Sequence, residues 1–168
     1  MKLNSHGLFV VIIVAASLQA SALAQAAHPL NGTWILNVAK STYDPPNLAP
    51  KSGTQVYRVT GDTLIGVNDG VDSQGRTTHS DYTVKFDGKD YPWTGTIAGQ
   101  PNTSQDTVSF RKIDDRTFEI LNKLKGAVVV TQRTVLALDG KSRTTTTIGT
   151  NAQGQKISNV TLLEKMPD

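Results

Sequence analysis

The sequence predicts an all-β fold, a single antiparallel up-and-down β-barrel of about 8–10 strands. No segment has a convincing helical period, whereas many stretches alternate apolar and polar residues with a period of two. Short polar turns at Gly61-Asp62, Asp87-Gly88, Asp114-Asp115 and Asp139-Gly140 alternate with roomier connections at Ala39 to Thr54, Asp69 to Arg76 and Gly95 to Asp106. The shorter Lys125-Gly126 and Asn151 to Gly154 continue the same alternation. In a meander, connections after odd strands lie at one end and those after even strands at the other. All the longer connections therefore gather at one end, predicting an open mouth above a stitched floor.

The chain starts with Lys2, an apolar run from Gly7 to Leu18, and Ala22-Leu23-Ala24 before Gln25, the three-part layout of a secretory leader. Cleavage is expected after Ala24, with Ala24-Gln25-Ala26 a second site of the same type. This divides the chain into a signal peptide over 1–24 and a barrel domain over 25–168. The run is too short, and too soon followed by polar residues, for a membrane span. The mature chain is thus expected in the periplasm or outside the cell. It would keep 144 residues, an ordinary size for one domain. With no cysteine it has no disulfide framework, no lipid-attachment thiol and no zinc-thiolate chemistry. Its 16 Lys and Arg against 14 Asp and Glu are scattered singly, a solubilising surface that does not match a nucleic-acid footprint.

Ten strands are expected, near Thr33–Val38, Gln55–Thr60, Thr63–Val67, Thr77–Phe86, Lys89–Thr94, Thr107–Ile113, Arg116–Leu124, Ala127–Leu138, Lys141–Thr150 and Gln155–Lys165. In the fourth, Ser80, Tyr82, Val84 and Phe86 alternate with His79, Asp81, Thr83 and Lys85, so the apolar set faces inward. A two-residue turn at Asp87-Gly88 would pair Phe86 with Lys89, Val84 with Tyr91 and Tyr82 with Trp93. The inward sets continue with Val108 and Phe110; then Phe118, Ile120, Asn122 and Leu124; then Val128, Val130, Gln132, Thr134, Leu136 and Leu138. The candidate ligand-contacting lumen is therefore Tyr82, Tyr91, Trp93, Phe110, Phe118, Ile120, Asn122, Gln132 and Thr134. Its polar members Asn122, Gln132 and Thr134 bond one another, hold water, or meet a polar ligand group. The 141–150 strand stays ambiguous: a two-residue turn points Arg143 and Thr145 inward, a three-residue loop Thr144 and Thr146.

Pro45, Pro46 and Pro50 stiffen the first long connection. It either folds over the mouth with Tyr43 and Leu48 as apolar contacts, or runs as a plain surface loop; Ile97 joins the mouth from the third connection. Asp72-Ser73-Gln74-Gly75 and Asn151-Ala152-Gln153-Gly154 read as repeated turn chemistry at the mouth. At the floor, the first strand rises from Trp34, the last descends to Lys165, and Arg143 starts from the same level. A cation over the Trp34 indole is one expectation there and simple packing the other.

Gly32-Thr33-Trp34 opening the first strand resembles the G-x-W signature of lipocalins and the wider calycin group. Joined to Leu36-Asn37, Lys40-Ser41, Phe86-Asp87-Gly88-Lys89-Asp90-Tyr91-Pro92 and Gly149-Thr150-Asn151-Ala152-Gln153-Gly154-Gln155, it looks like a group of exported bacterial lipocalin-like proteins. The resemblance spans nearly all of the mature chain. It implies a lipocalin-like, calycin-type barrel with a tryptophan plugging the closed end and a hydrophobic cavity, and no established reaction or ligand. The chain departs from lipocalins in having no long amphipathic helix after the barrel, which puts retinoid-like transport in doubt.

Catalysis would have to use His28, His79, two glutamates and aspartates that mostly sit in turns. No His-x-His or His-Glu-x-x-His spacing exists, so neither a metal site nor a cofactor is expected. One function class is a binding barrel taking a small apolar or amphipathic molecule through the long-loop end, with no nucleic-acid partner and no integral membrane span. Another is a lumen enzyme of cyclase, isomerase or decarboxylase type using Tyr82 with Gln132 or Arg143, and a third is a filled structural or interaction module of the envelope.

Overall fold

The computed structural model describes residues 28–151 and 153–167, so the leader and its cleavage site lie outside the described residues. The strands are β1 (Gly32–Thr42), β2 (Ser52–Thr60), β3 (Thr63–Val71), β4 (Thr77–Lys85), β5 (Tyr91–Ile97), β6 (Gln100–Pro101), β7 (Thr107–Lys112), β8 (Thr117–Leu124), β9 (Ala127–Leu136), β10 (Ser142–Thr150) and β11 (Lys156–Lys165). Ten are long, β6 has only two residues, and the lone helical element among the described residues is a 3-10 turn over Pro46–Leu48. Neighbours in sequence pair antiparallel, except that β6 and β7 both pair with β5, and β11 returns to β1 with Trp34 opposite Lys165 and Leu36 opposite Leu163, closing the barrel. The fold is the expected all-β, up-and-down, calycin-type barrel.

Local chemistry explains the turns. Asp114 accepts from the backbone N–H groups of Arg116 and Thr117, Asp139 from that of Lys141 and Asp87 from that of Lys89. The two similar mouth segments use one device: Asp72 Oδ1 accepts from the N–H groups of Gln74 and Arg76, and Asn151 Oδ1 from those of Gln153 and Gln155.

Several sequence expectations shift. Tyr82 does pair with Trp93, but the β4–β5 ladder stops there and Asp87-Gly88 is not a two-residue hairpin turn. Asp87 instead bridges to Arg111, and the Gly88 N–H donates to the Phe110 carbonyl, so the end of β4 leans on β7. The connection expected over Gly95 to Asp106 holds a tight hairpin, with Ile97 opposite Gln100. Val128 and Leu138 do not face inward, being 51% and 88% exposed. A register shift between β8 and β9 passes from Asn122 opposite Val130 to Lys123 opposite Val128, which turns Val128 outward. Leu138 lies in the turn beyond β9. In β10 Arg143, Thr145 and Thr147 are buried, settling the inward face.

β1 carries the largest irregularity: Asn37 faces Leu162, but Thr42 faces Val160, leaving three extra residues on β1. Asn37 and Ser41 hold this bulge together. The Lys40 N–H donates to Asn37 Oδ1, the Ser41 hydroxyl to the Asn37 carbonyl, and the Leu162 N–H to Ser41 Oγ.

The core fills the floor half. Trp34 is fully buried and its Nε1–H donates to the Leu30 carbonyl at 2.9 Å. Leu30 is itself buried, Asn31 Oδ1 accepts from the Val59 N–H, and the His28 ring stacks on Phe86 at 5.2 Å. The segment before β1 is therefore the plug of the closed end. Phe86 packs behind it against Phe110 and Phe118, with centroids 6.5 and 5.6 Å away, distances at which aromatic pairs attract beyond their buried area.

Candidate functional site

Above the aromatic floor the barrel contains a cavity of about 380 Å³ that opens at the end carrying the long connections. The volume lies at the lower end of the range for small-molecule sites. Trp93, Ile120, Gln132 and Thr134 of the sequence-derived lumen set line it, Tyr43 and Ile97 border its mouth, and Arg143 forms part of its inner end. The other expected residues lie elsewhere. Phe110 and Phe118 belong to the floor, and Asn122 is buried without lining the cavity. Tyr91 packs against the core edge with its hydroxyl donating to Asp87, and Leu48 is half-buried in the 3-10 turn. Lys165 lies against Trp34 outside the cavity, its Nζ 5.6 Å from the ring centroid.

Tyr82 reaches the site indirectly. Its ring crosses Gly66 on β3, where an added Cβ would fall 2.5 Å from a ring carbon, so only glycine lets the two strands hold this ring. Its hydroxyl donates to the Tyr57 hydroxyl at 3.0 Å, and Tyr57 is the residue that lines the cavity. Burial, reinforced by the adjoining Tyr57 hydroxyl, pushes the Tyr82 phenol well above its ordinary value, so it serves as a neutral donor and not as a base. Alternation of Gln55, Tyr57 and Val59 in β2 was the available signal for Tyr57, and sequence reasoning passed over it.

The polar wall comes from β9, β10 and β11. Thr134 and Thr145 face each other across the β9–β10 pair and share a 2.8 Å hydrogen bond, which satisfies one of the polar lumen residues internally. Gln132 sits opposite Thr147 one step nearer the mouth. At the rim, His79 Nδ1 lies 2.8 Å from Asp69 Oδ1, and Asp81 accepts from the Thr94 hydroxyl on the outer face.

The first long connection lies along the mouth end of β11: the Asp44 N–H donates to Asn159 Oδ1, and the Ser158 N–H to the Asp44 carbonyl. This holds Tyr43 and Pro50 in the cavity wall. Three buried polar atoms have no hydrogen-bond partner within the described protein: the Tyr43 hydroxyl, Asn68 Oδ1 and Arg143 Nε. All three residues line this one cavity. The Ser41 hydroxyl near Tyr43 is already engaged as both donor and acceptor in the β1 bulge. Among the described residues no cluster of three potential metal ligands occurs, and no helix is long and apolar enough to cross a membrane.

No protein-family model matches the chain, and no curated protein matches it. Among solved structures, it is similar to zebrafish ileal bile acid-binding protein complexed with cholic acid. The TM-score is 0.50 at 15% identity, covering 82% of this chain and 99% of that one. A redesigned β-barrel, mFAP0, bound to DFHBI, covers the same shares at 16% identity with a TM-score of 0.41. At 15% identity the likeness to the zebrafish protein is one of fold alone, a closed antiparallel β-barrel.

Proposed function

We propose that the protein is an exported lipocalin-like binding barrel that takes a small apolar or amphipathic molecule through its long-loop end. The observation that carries this reading is that the three residues carrying the unpaired buried polar atoms all line one cavity. Unpaired buried polar atoms cost free energy, and a site retaining several of them beside Trp93, Ile97 and Ile120 suits a molecule with both apolar surface and polar groups. The similar zebrafish protein is a bile acid-binding protein, which agrees with this use of the fold. The leader-like start supports a periplasmic or secreted location.

Native mass spectrometry of protein purified from the envelope of its own cells tests the binding reading. A retained small molecule of matching volume is the expected result. Water alone in the cavity, with no uptake of any amphipathic probe, would leave a filled structural barrel. N-terminal sequencing of the mature protein tests export: a chain beginning at Gln25 is expected, and retention of Met1 would overturn the location.

A further inference from the structure

The inner end of the cavity holds a buried cation that no carboxylate answers. Arg143 is 2% exposed, and none of the ion pairs among the described residues includes it. Its Nη2 donates to Gln55 Oε1, a neutral acceptor, and its Nε has no partner. The guanidinium lies over two aromatic faces, 4.8 Å from the Trp34 centroid and 4.5 Å from that of Tyr57. Those rings offset part of the desolvation of the charge but do not neutralise it, and they leave in-plane N–H donors unused. Arginine does not deprotonate to escape the penalty. Lys165, on the same indole, adds a second positive charge.

The remaining lining sharpens the contrast. Its one carboxylate, Asp69, belongs to the mouth and is held by His79. Between the two ends Leu36, Trp93, Ile97 and Ile120 share the wall with Asn68, Gln132 and threonine hydroxyls. The cavity is therefore cationic at its closed end, and along its length apolar side chains share the wall with neutral hydroxyls and amides.

We infer that the ligand is an amphiphile with an anionic, carboxylate-like head, and that the head binds at Arg143 and Gln55 while the apolar body extends past Trp93 toward the mouth. This rests on the cavity being a ligand site. A planar carboxylate matches the guanidinium fork, accepting the free Nε–H and a neighbouring N–H together. Charge-assisted pairs of this kind are stronger than neutral hydrogen bonds and strengthen further away from water.

Calorimetric titration at neutral pH with octanoate and with 1-octanol, which share one tail and differ in head charge, tests the assignment. Octanoate is expected to bind the wild-type protein roughly tenfold or more tightly than octanol. Arg143→Gln should bring the ratio of the two affinities close to one. Because that change also removes the stack on Trp34, Gln55→Glu is the second variant. It keeps the guanidinium in place and supplies an internal carboxylate, so it too should abolish the preference for octanoate. Equal affinities in the wild type, or an octanoate preference that survives Gln55→Glu, would overturn the anion site alone. Binding of neither probe would remove the cavity-binding reading and this inference with it.

Discussion

At the closed end Trp34, Phe110 and Phe118 are sealed from solvent, and the single polar atom of Trp34 is bonded to Leu30. Toward the mouth, Asn68 of β3 and Tyr43 of the first long connection each have a buried polar atom left unpaired, and Trp93 of β5 is only partly covered. The difference shows a division of labour between the two ends of one barrel. The floor half is close-packed and supplies the stability, with Arg143 Nε its one unpaired buried side-chain polar atom among the described residues, and the upper half leaves groups unsatisfied around a hollow. Side chains that strengthen the lower half would fill the cavity if repeated in the upper half.

Substitutions that cross this boundary should separate the two halves. Trp34→Ala is expected to cost about 3–5 kcal/mol, read as a fall in the urea midpoint, because it removes the largest fully buried side chain and strands the Leu30 carbonyl. Trp93→Ala should cost only roughly 1–2 kcal/mol, since its ring is partly exposed, yet it should weaken an amphipathic probe far more than that stability loss suggests. A Trp93 variant that binds the probe as well as wild type would remove it from the site. Thr134→Val should cost about 1 kcal/mol in urea melts by leaving the Thr145 hydroxyl without its partner. Tyr43→Phe should change stability by no more than about 0.5 kcal/mol, because the hydroxyl it removes bonds nothing within the protein. A large loss on Tyr43→Phe would show that the mouth is not the unsatisfied half.

The smallest expected effect concerns pH. Burial, with the Lys112 charge second, holds the His28 imidazole below its ordinary value of 6.5, so the fold favours the neutral ring. The stability it contributes is full above 6.5 and declines as pH falls through the lower folded-state value. Urea melts should show a shallow decline on the acid side of 6.5, before carboxylates protonate, and His28→Phe should flatten it while keeping the stack on Phe86. A profile unchanged by that substitution would mean that His28 does not titrate against the floor.

Strand number, alternation and the sorting of connections to two ends were legible in the sequence because they depend on local chemistry. Asp72, Asn151, Asp114 and Asp139 cap their own turns within a few residues. The floor plug was not legible, because Leu30, Asn31 and His28 act through contacts to Trp34, Val59, Phe86 and Phe118. Nor was the turning-out of Val128, which depends on the β9 backbone next to the ladder shift. A Cβ at Gly149 on the neighbouring strand would lie 2.4 Å from the Val129 carbonyl oxygen, so the approach needs glycine at a position far along the chain. Of the candidate site, alternation identified Trp93, Ile120, Gln132 and Thr134. Arg143 had two possible faces until the turn after β9 was known: the Ala137 N–H bonds to the Ser142 carbonyl, and that register puts the guanidinium inside.

The pairing of β1 with β11 also brings the two ends of the described chain together. The Met166 N–H donates to the Thr33 carbonyl beside Trp34, so both ends emerge at the floor. A surface, a fusion partner or a linker attached through either end would hold the barrel from below and point its opening outward. Joining the two ends with a short linker and cutting instead at Lys125-Gly126 would relocate the termini to the rim and reverse that orientation, with the barrel's strand order unchanged.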